Sequence, residues 1–181
     1  MNASPAVTAV PIGMNAAVEA GRLIVLFDTH ERRLYRLARR LAGSADAAGD
    51  LVQETFLRAA RSPNAVPSGA AEEEAWLVRV LINISHDQWR KAAVRRNADV
   101  TQLVPQPANP ESALIARRAV WQALDRLPPR RRAVLVMHEL DGRPPAEIAE
   151  LLSISRITVR WHLSRGRREL ARVLKTETGD R

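Results

Sequence analysis

An arginine-rich pair of helices near the carboxy terminus carries the residues best suited to chemistry. Residues 144–175 (PPAEIAELLSISRITVRWHLSRGRRELARVLK) read as a helix, a three-residue turn and a second helix. Apolar residues recur near the 3.6-residue period at Ile148, Leu151, Leu152, Val159, Leu163, Leu170 and Leu174. The exposed stripe of the second helix then carries Arg156, Arg160, Ser164 and Arg167. Arginine neutralises phosphate and pairs with guanine edges in the major groove. This pattern therefore predicts a pair of helices that binds double-stranded DNA.

The distribution of charge supports this interpretation against that of an ordinary solvated face. The 181-residue chain has 28 Lys+Arg and 20 Asp+Glu, a net charge of +8. Residues 111–175 carry a net +7, from 14 basic and 7 acidic side chains, whereas residues 19–96 carry a net +3, from 13 and 10. Lys91 and Lys175 are the two lysines, and a GC-rich genome also favours arginine and alanine. The concentration beside the helical pair still indicates nucleic-acid binding.

Other chemistries find no support in the sequence. The chain has no cysteine, which excludes disulfides, thiolate zinc sites and cysteine nucleophiles. No nucleophile elbow, phosphate loop or paired catalytic carboxylates occur, and His138 and His162 lack metal-ligand spacing. We therefore expect no enzyme activity, no catalytic residue, no cofactor and no metal. No apolar run is long enough to span a membrane and the amino terminus lacks a secretory pattern, so we expect a cytoplasmic protein without membrane insertion.

The periodic segments predict an all-α fold of two small helical domains joined by a flexible linker. The second is a four-helix domain with a helix-turn-helix. The predicted boundaries are a flexible tail (1–17), a first domain (18–96), a linker (97–110), a second domain (111–175) and a carboxy-terminal tail (176–181).

Breakers and caps define the predicted helices. The first runs from about Val18 to Leu41 and ends at Gly43, and Ser44 or Asp46 caps the second, residues 45–61. A loop over residues 62–71 precedes a third helix from about Glu72 to Arg96. In the second domain, residues 111–127 form one helix and residues 128–141 form another, which Gly142 ends. Pro144 and Pro145 open the helical pair, whose turn is Ser153, Ile154 and Ser155.

Two separated blocks resemble the extracytoplasmic-function (ECF, group IV) sigma factors of bacterial RNA polymerase. Residues 46–59 (DAAGDLVQETFLRA) are similar to that family's clamp-binding helix, and residues 75–91 (AWLVRVLINISHDQWRK) to its promoter-melting helix. Residues 123–174 resemble its carboxy-terminal domain. The resemblance implies two sigma regions: region 2 over residues 18–96, for clamp binding and −10 recognition and melting, and region 4 over residues 111–175, for −35 recognition.

The second helix has two different stripes. Val52, Phe56 and Ala59 form an apolar one, and a free face carries Asp50, Gln53, Glu54 and Leu57 at i, i+3, i+4 and i+7. The resemblance implies that this free face binds the clamp helices of core polymerase, where arginines of the partner would pair with Asp50 and Glu54. It further implies contact with the polymerase flap and a probable anti-sigma partner.

For the −10 element, duplex melting requires groups that hold extruded bases. The resemblance assigns this role to Asn83 and to the loop that contains Ser62 and Asn64, which would bind the melted non-template strand. A basic path for the backbone would come from Arg79, Arg90, Lys91, Arg95 and Arg96. Trp76 is interpreted as a core anchor. For Trp89, stacking on a base, packing on the first helix and facing the linker all stay open.

For the −35 element, the resemblance places the last helix in the major groove of double-stranded promoter DNA. The expected reading residues are Arg156, Thr158, Arg160, Trp161, Ser164 and Arg165. Arg130, Arg131 and Arg132 could also approach phosphates. Ile157, Trp161 and His162 depart from the family pattern, which leaves the base specificity and the role of Trp161 open.

Two other classes of protein compete with the sigma interpretation. A stand-alone helix-turn-helix transcriptional regulator with a helical amino-terminal domain explains the second half and predicts a dimer on closed duplex. A protein-interaction adaptor predicts DNA affinity with a weak salt dependence. The stand-alone regulator does not explain the clamp-binding and melting-helix patterns.

Overall fold

The described part of the chain is all-helical. The computed structural model describes the backbone of residues 12–42, 44–98 and 120–178, and the side chains of residues 19–42, 44–92 and 120–175. Over these ranges no strand occurs, and the all-α prediction is confirmed. The helices are α1 (Ile12–Leu41), α2 (Ala45–Arg61), α3 (Ala70–Ala98), α4 (described over 120–125), α5 (Pro129–Leu135), α6 (Pro145–Leu152) and α7 (Arg156–Thr178).

Helix α2 has the bounds that its sequence predicted. The Ser44 hydroxyl accepts a hydrogen bond from the Ala47 amide at 3.1 Å, so Ser44 rather than Asp46 is the N-cap. Asp46 lies in the first turn, where a carboxylate interacts favourably with the helix dipole. Gly43, the predicted stop of α1, lies outside the described residues.

The ends of α1 and α3 differ from prediction. Helix α1 begins at Ile12 rather than at Val18, so part of the predicted tail is helical, since its alanines and methionine favour helix. Helix α3 extends to Ala98, which makes the first two residues of the predicted linker helical. Residues 1–11, the remainder of the linker, residues 111–119 and residues 179–181 lie outside the described ranges.

The first three helices pack around leucines at helical spacing. Leu34, Leu51, Leu77 and Leu81 are fully buried between them. The rings of Phe27 on α1 and Phe56 on α2 lie 4.8 Å apart between centroids. This core holds α2 so that its other stripe faces outward.

The carboxy-terminal helices add Leu127, Val134, Ile148 and Val159 to the same buried cluster. Pro129 stands in the first turn of α5, as predicted for a residue without an amide hydrogen. A π-helical turn, Val136–Leu140, follows α5 directly. Gly142, at φ +68°, then ends the element in a left-handed conformation that suits glycine, which confirms it as the predicted stop.

A helix-turn-helix forms where the sequence predicted it. Ile148, Leu151 and Leu152 of α6 are buried. Ser153 adopts the left-handed conformation at the end of α6, with φ 52° and ψ 48°, and the amide of Ile154 donates to the Ala149 carbonyl at 3.0 Å. The turn therefore reverses the chain within three residues and sends α7 across the domain.

The two halves of the described molecule contact each other directly. Helix α3 packs against α5 and α6, and the end of α1 reaches α5. At this contact Glu74 pairs with Arg33 at 2.8 Å and with Arg143 at 2.9 Å, and Arg40 pairs with Asp141. No helix among the described residues is long and apolar enough to cross a membrane.

Candidate nucleic-acid interface

Helix α7 presents the basic face that the periodicity predicted. Val159 and Leu163 are buried, whereas the opposite side exposes Arg156, Arg160, Ser164, Arg165 and Arg167. Arg167 pairs with Glu139 at 2.7 Å, and Arg168 donates to the Ser164 hydroxyl at 3.4 Å. These exposed guanidinium groups therefore lie on the surface of α7 that its buried contacts leave free.

Thr158 has a structural contact that its predicted role did not include. The Ser155 hydroxyl accepts the Thr158 amide at 3.0 Å and lies 2.8 Å from the Thr158 hydroxyl. Ser155 is therefore the N-cap of α7, and Thr158 fixes the cap side chain. Ser153, the other hydroxyl of the turn, does not cap α7.

Trp161 is exposed but held in place. The Arg131 guanidinium of α5 lies 5.3 Å from its ring centroid, at cation–π distance. Arg131 pairs with Glu169 at 2.5 Å, and Glu169 pairs with Arg165 at 2.9 Å. Arg131 and Arg165, both expected at the DNA, thus belong to one ion-paired group that orients the indole.

His162 lies next to Trp161 in the sequence and is partly buried. Its ring meets that of Trp161 edge to face, with centroids 5.0 Å apart. Burial lowers the pKa of His162 below its usual value, and the cations Arg131 and Arg130 lower it further. The imidazole is therefore neutral at neutral pH and acts as a packing group. No cluster of three potential metal ligands occurs among the described residues.

Arg132 corrects the expectation that three consecutive arginines face phosphates. Its side chain is only 4% exposed and donates to the Leu41 carbonyl at 2.6 Å and to the Asp125 carboxylate at 2.7 Å. Helical spacing explains the difference, because neighbouring residues point in directions about 100° apart. Arg130 is exposed, Arg131 supports Trp161, and Arg132 joins the two halves.

Helix α3 carries a second polar face. Asn83, Arg90 and Lys91 are exposed there, consistent with their predicted contact with the −10 element. Arg79 lies differently. It donates to the Leu151 carbonyl at 3.1 Å and to the Ser153 hydroxyl at 3.0 Å, so it binds the turn of the helix-turn-helix. The side chains of Arg95 and Arg96 lie outside the described residues.

The predicted base-capturing loop connects α2 with α3. Ser62 and Asn64 are exposed, and Pro63–Ala65 forms a 3₁₀ turn. The guanidinium of Arg22 on α1 donates to the carbonyls of Val66 and Pro67, each at 2.8 Å. We call these two hydrogen bonds the Arg22 brace. The sequence did not predict it, because nothing in the local pattern links residues that far apart.

Helix α2 exposes its predicted polymerase-binding residues Asp50, Gln53 and Leu57, while Val52, Phe56 and Ala59 are buried. Glu54 lies 3.5 Å from both Arg58 and Arg61, so part of its charge is already balanced. An apolar groove adjoins this face, lined by Ile24 and Phe27 of α1 and by Phe56 and Leu57 of α2. The contribution of α1 was not predicted.

The two tryptophans of α3 lie in different surroundings. Trp76 packs against the core, as predicted. Trp89 is partly buried, its ring centroid lies 6.5 Å from that of His86, and its indole nitrogen has no hydrogen-bond partner in the part of the chain that the structure describes.

Comparison with known families identifies the two halves. Residues 26–95 match the model of Sigma-70 region 2, and residues 117–170 match that of Sigma-70, region 4. In this order the two regions define the class of RNA polymerase sigma factors.

Curated proteins similar to this chain belong to one subclass of the sigma factors. The chain is 36% identical over 148 residues to the ECF RNA polymerase sigma factor SigE of Mycolicibacterium smegmatis, covering 78% of this chain and 57% of that one. It is also 36% identical over 152 residues to SigL of Mycobacterium tuberculosis, covering 82% of this chain and 86% of SigL. The chain belongs to the ECF RNA polymerase sigma factors.

Solved structures share the fold. The sigma factor RpoE of Bartonella quintana, solved with the anti-sigma factor NepR, matches with a TM-score of 0.57 at 23% identity, over 86% of this chain and 96% of RpoE. CnrH, solved with the cytosolic domain of CnrY, also has a TM-score of 0.57, at 22% identity, over 89% of this chain and 94% of CnrH.

Proposed function

We propose that this ECF sigma factor binds core RNA polymerase through α2, reads the −35 element with α7, and reads and melts the −10 element with α3 and the loop over residues 62–71. The observation that carries the proposal is the succession of a region 2 and a region 4, each with its polar face on the surface. A stand-alone regulator has no need of the first face.

The polymerase-binding surface combines charge with apolar area. Asp50 is exposed on α2, and arginines of the clamp helices would form charge-assisted hydrogen bonds with it. Leu57 and the adjoining groove on α1 supply apolar surface that such a helix would cover. The flap of the polymerase would contact the second domain.

Promoter binding requires the two halves to move apart. Elements named for positions −35 and −10 lie about 25 base pairs apart, or about 85 Å along a duplex at 3.4 Å per base pair. Arg79, expected at the −10 element, lies 3.0 Å from Ser153 in the turn that precedes the −35 helix. One arrangement cannot serve both elements, so the contact between the halves opens on the promoter.

The remaining assignments follow from the family. The chain acts as a specificity subunit and not as an enzyme, since the polymerase supplies the catalytic metals. It works in the cytoplasm, where the polymerase and the chromosome are. RpoE was solved with the anti-sigma factor NepR, and CnrH with the cytosolic domain of CnrY. We expect an anti-sigma partner to cover the α1–α2 surface here.

The test is transcription by sigma-free core polymerase on a pooled promoter library, with and without this chain. We expect discrete start sites downstream of a shared two-part motif. Asp50→Lys should weaken binding to core polymerase by roughly 10- to 100-fold, the value of a charge-assisted hydrogen bond, in a fluorescence titration. Glu150→Lys, an exposed charge reversal on α6, is the control and should leave that affinity unchanged.

The alternative, a stand-alone regulator, predicts a different result. The chain would bind closed duplex as a dimer without polymerase, no start sites would appear, and Asp50→Lys would have no effect. That combination would replace the sigma proposal. An adaptor that binds only protein predicts neither start sites nor steep salt dependence of DNA binding.

A further inference from the structure

Two large apolar side chains stand in solvent one turn apart on α7. Ile157 is 78% exposed and Trp161 is 53% exposed, and the core contacts of the helix come from Val159 and Leu163 on another side. Neither side chain belongs to the buried core, although Trp161 contacts Arg131 of α5. We call this pair, Ile157 and Trp161, the apolar ridge.

The ridge lies where a recognition helix meets bases. Ile157 is in the first turn of α7, and the amino-terminal residues of such a helix are the ones that contact base edges in the major groove. The capping hydrogen bonds of Ser155 and Thr158 hold this turn in place. The ridge is therefore presented on a rigid element.

The second member of the ridge is also fixed in orientation. Arg131 lies 5.3 Å from the Trp161 ring centroid and is itself paired with Glu169 at 2.5 Å. One part of the indole is covered by this guanidinium while about half of the residue stays open. A side chain held in this way presents its free edge with little loss of conformational entropy on binding.

Charge around the ridge favours nucleic acid as its occupant. Arg156 and Arg160 are exposed directly beside Ile157 and Trp161, and Arg165 follows one turn later. An apolar strip between guanidinium groups complements a groove whose walls are phosphate. Of the four bases, only thymine offers the major groove an apolar group, its C5-methyl.

We propose that the apolar ridge selects thymine in the upstream promoter element, with Ile157 and Trp161 packed on C5-methyl groups in the major groove. Arg156 and Arg160 bind the neighbouring phosphates or guanines. The inference rests on the proposed role of α7 at the −35 element and adds a base preference to it.

The experiment removes the methyl group alone. In a promoter recovered from the library, each thymine of the upstream element is replaced in turn by deoxyuridine, which keeps the base pair. Initiation by the polymerase reconstituted with the full chain is then measured. At one or two positions we expect a loss of about three- to fivefold, the effect of removing one buried methyl group.

The same comparison of thymine and deoxyuridine templates is then made with the variant Ile157→Ala. This variant should initiate less well on the thymine promoter and lose most of the difference between thymine and deoxyuridine, and Trp161→Ala should do the same at a neighbouring base. Leu140→Ala, which truncates an apolar side chain that is 52% exposed outside α7, should keep the difference. Because Ile157 is so exposed, its truncation leaves the fold intact.

The outcomes separate the two proposals. If start sites appear but deoxyuridine has no effect at any position, thymine selection is wrong and the sigma function stands. If Ile157→Ala weakens initiation equally on both templates, Ile157 does not act through the methyl group and thymine selection is again wrong. If no start sites appear, the proposed function fails and the ridge loses its role with it.

Discussion

Three consecutive arginines show how position decides the role of a side chain. Arg130 is exposed, Arg131 lies against Trp161, and Arg132 is buried with bonds to Leu41, Asp125 and Leu127. A buried guanidinium is stable only if its donors find acceptors, and Arg132 finds carbonyls from α1 and from the segment before α5. It is therefore a structural residue between the halves.

At this scale we expect Arg132→Ala to lower the free energy of unfolding by about 1 to 3 kcal/mol, because the buried carbonyls of Leu41 and Leu127 lose their donor. Arg130→Ala, two positions earlier and exposed, is the matched control and should change stability by less than about 0.5 kcal/mol. Urea denaturation followed by circular dichroism measures both. Equal losses for the two variants would contradict the structural role of Arg132.

At the scale of helices, α5 and α7 approach so closely that one position must be glycine. A Cβ on Gly166 would lie 2.7 Å from Leu135 Cδ1 and 3.1 Å from Arg131 Cγ, and Leu135 is itself buried. This close approach sets the distance between the recognition helix and its support. It also places Arg131 beside Trp161.

For Gly166→Ala, overpacking costs about 1 to 3 kcal/mol, and helix propensity offsets about 1 kcal/mol of it. We therefore expect a net loss of stability of up to about 2 kcal/mol. Gly21→Ala in α1 is the control, because a Cβ there meets no atom within 4 Å. It should raise stability by up to about 1 kcal/mol. Thermal and urea unfolding of both variants test this. An increase in stability for Gly166→Ala would show that α5 and α7 can move apart to accommodate the added methyl group.

At the scale of the whole molecule, polar contacts hold the two regions against each other. Glu74 of α3 binds Arg33 from its own half and Arg143 from the other, and its side chain is only 15% exposed. Arg79 adds hydrogen bonds to Leu151 and Ser153. Under the proposed function the regions separate on the promoter, and these contacts would then set the free-energy cost of opening.

We expect Glu74→Ala to shift the free chain toward open arrangements, because Arg143 loses its buried partner. The chain has no cysteine, so Ala60→Cys and Ala171→Cys, both exposed, provide sites for a donor and an acceptor dye. Energy transfer should fall in the Glu74→Ala background and stay constant for Glu150→Ala, while helix content is unchanged. Constant transfer in both would show that Glu74 does not hold the regions together.

The sequence alone determined the elements and the direction in which most of them face. Periodicity, caps and breakers predicted the bounds of α2 with a cap at Ser44 or Asp46, the end at Gly142, the helix-turn-helix and the exposed arginines of α7. These features depend on residues within one or two turns of each other, so local chemistry is enough to define them. The family resemblance supplied the expected roles.

Only the tertiary structure decided which of those residues are free. Three residues have the charge or hydroxyl that suits a DNA contact but form hydrogen bonds within the protein instead: Arg79, Thr158 and Arg132. The Arg22 brace and the arginine over Trp161 likewise join segments distant in sequence. Such contacts arise from the packing of whole helices, which no local pattern contains. The sequence therefore determined the face that is predicted to meet DNA, and packing determined which side chains are bonded within the protein instead.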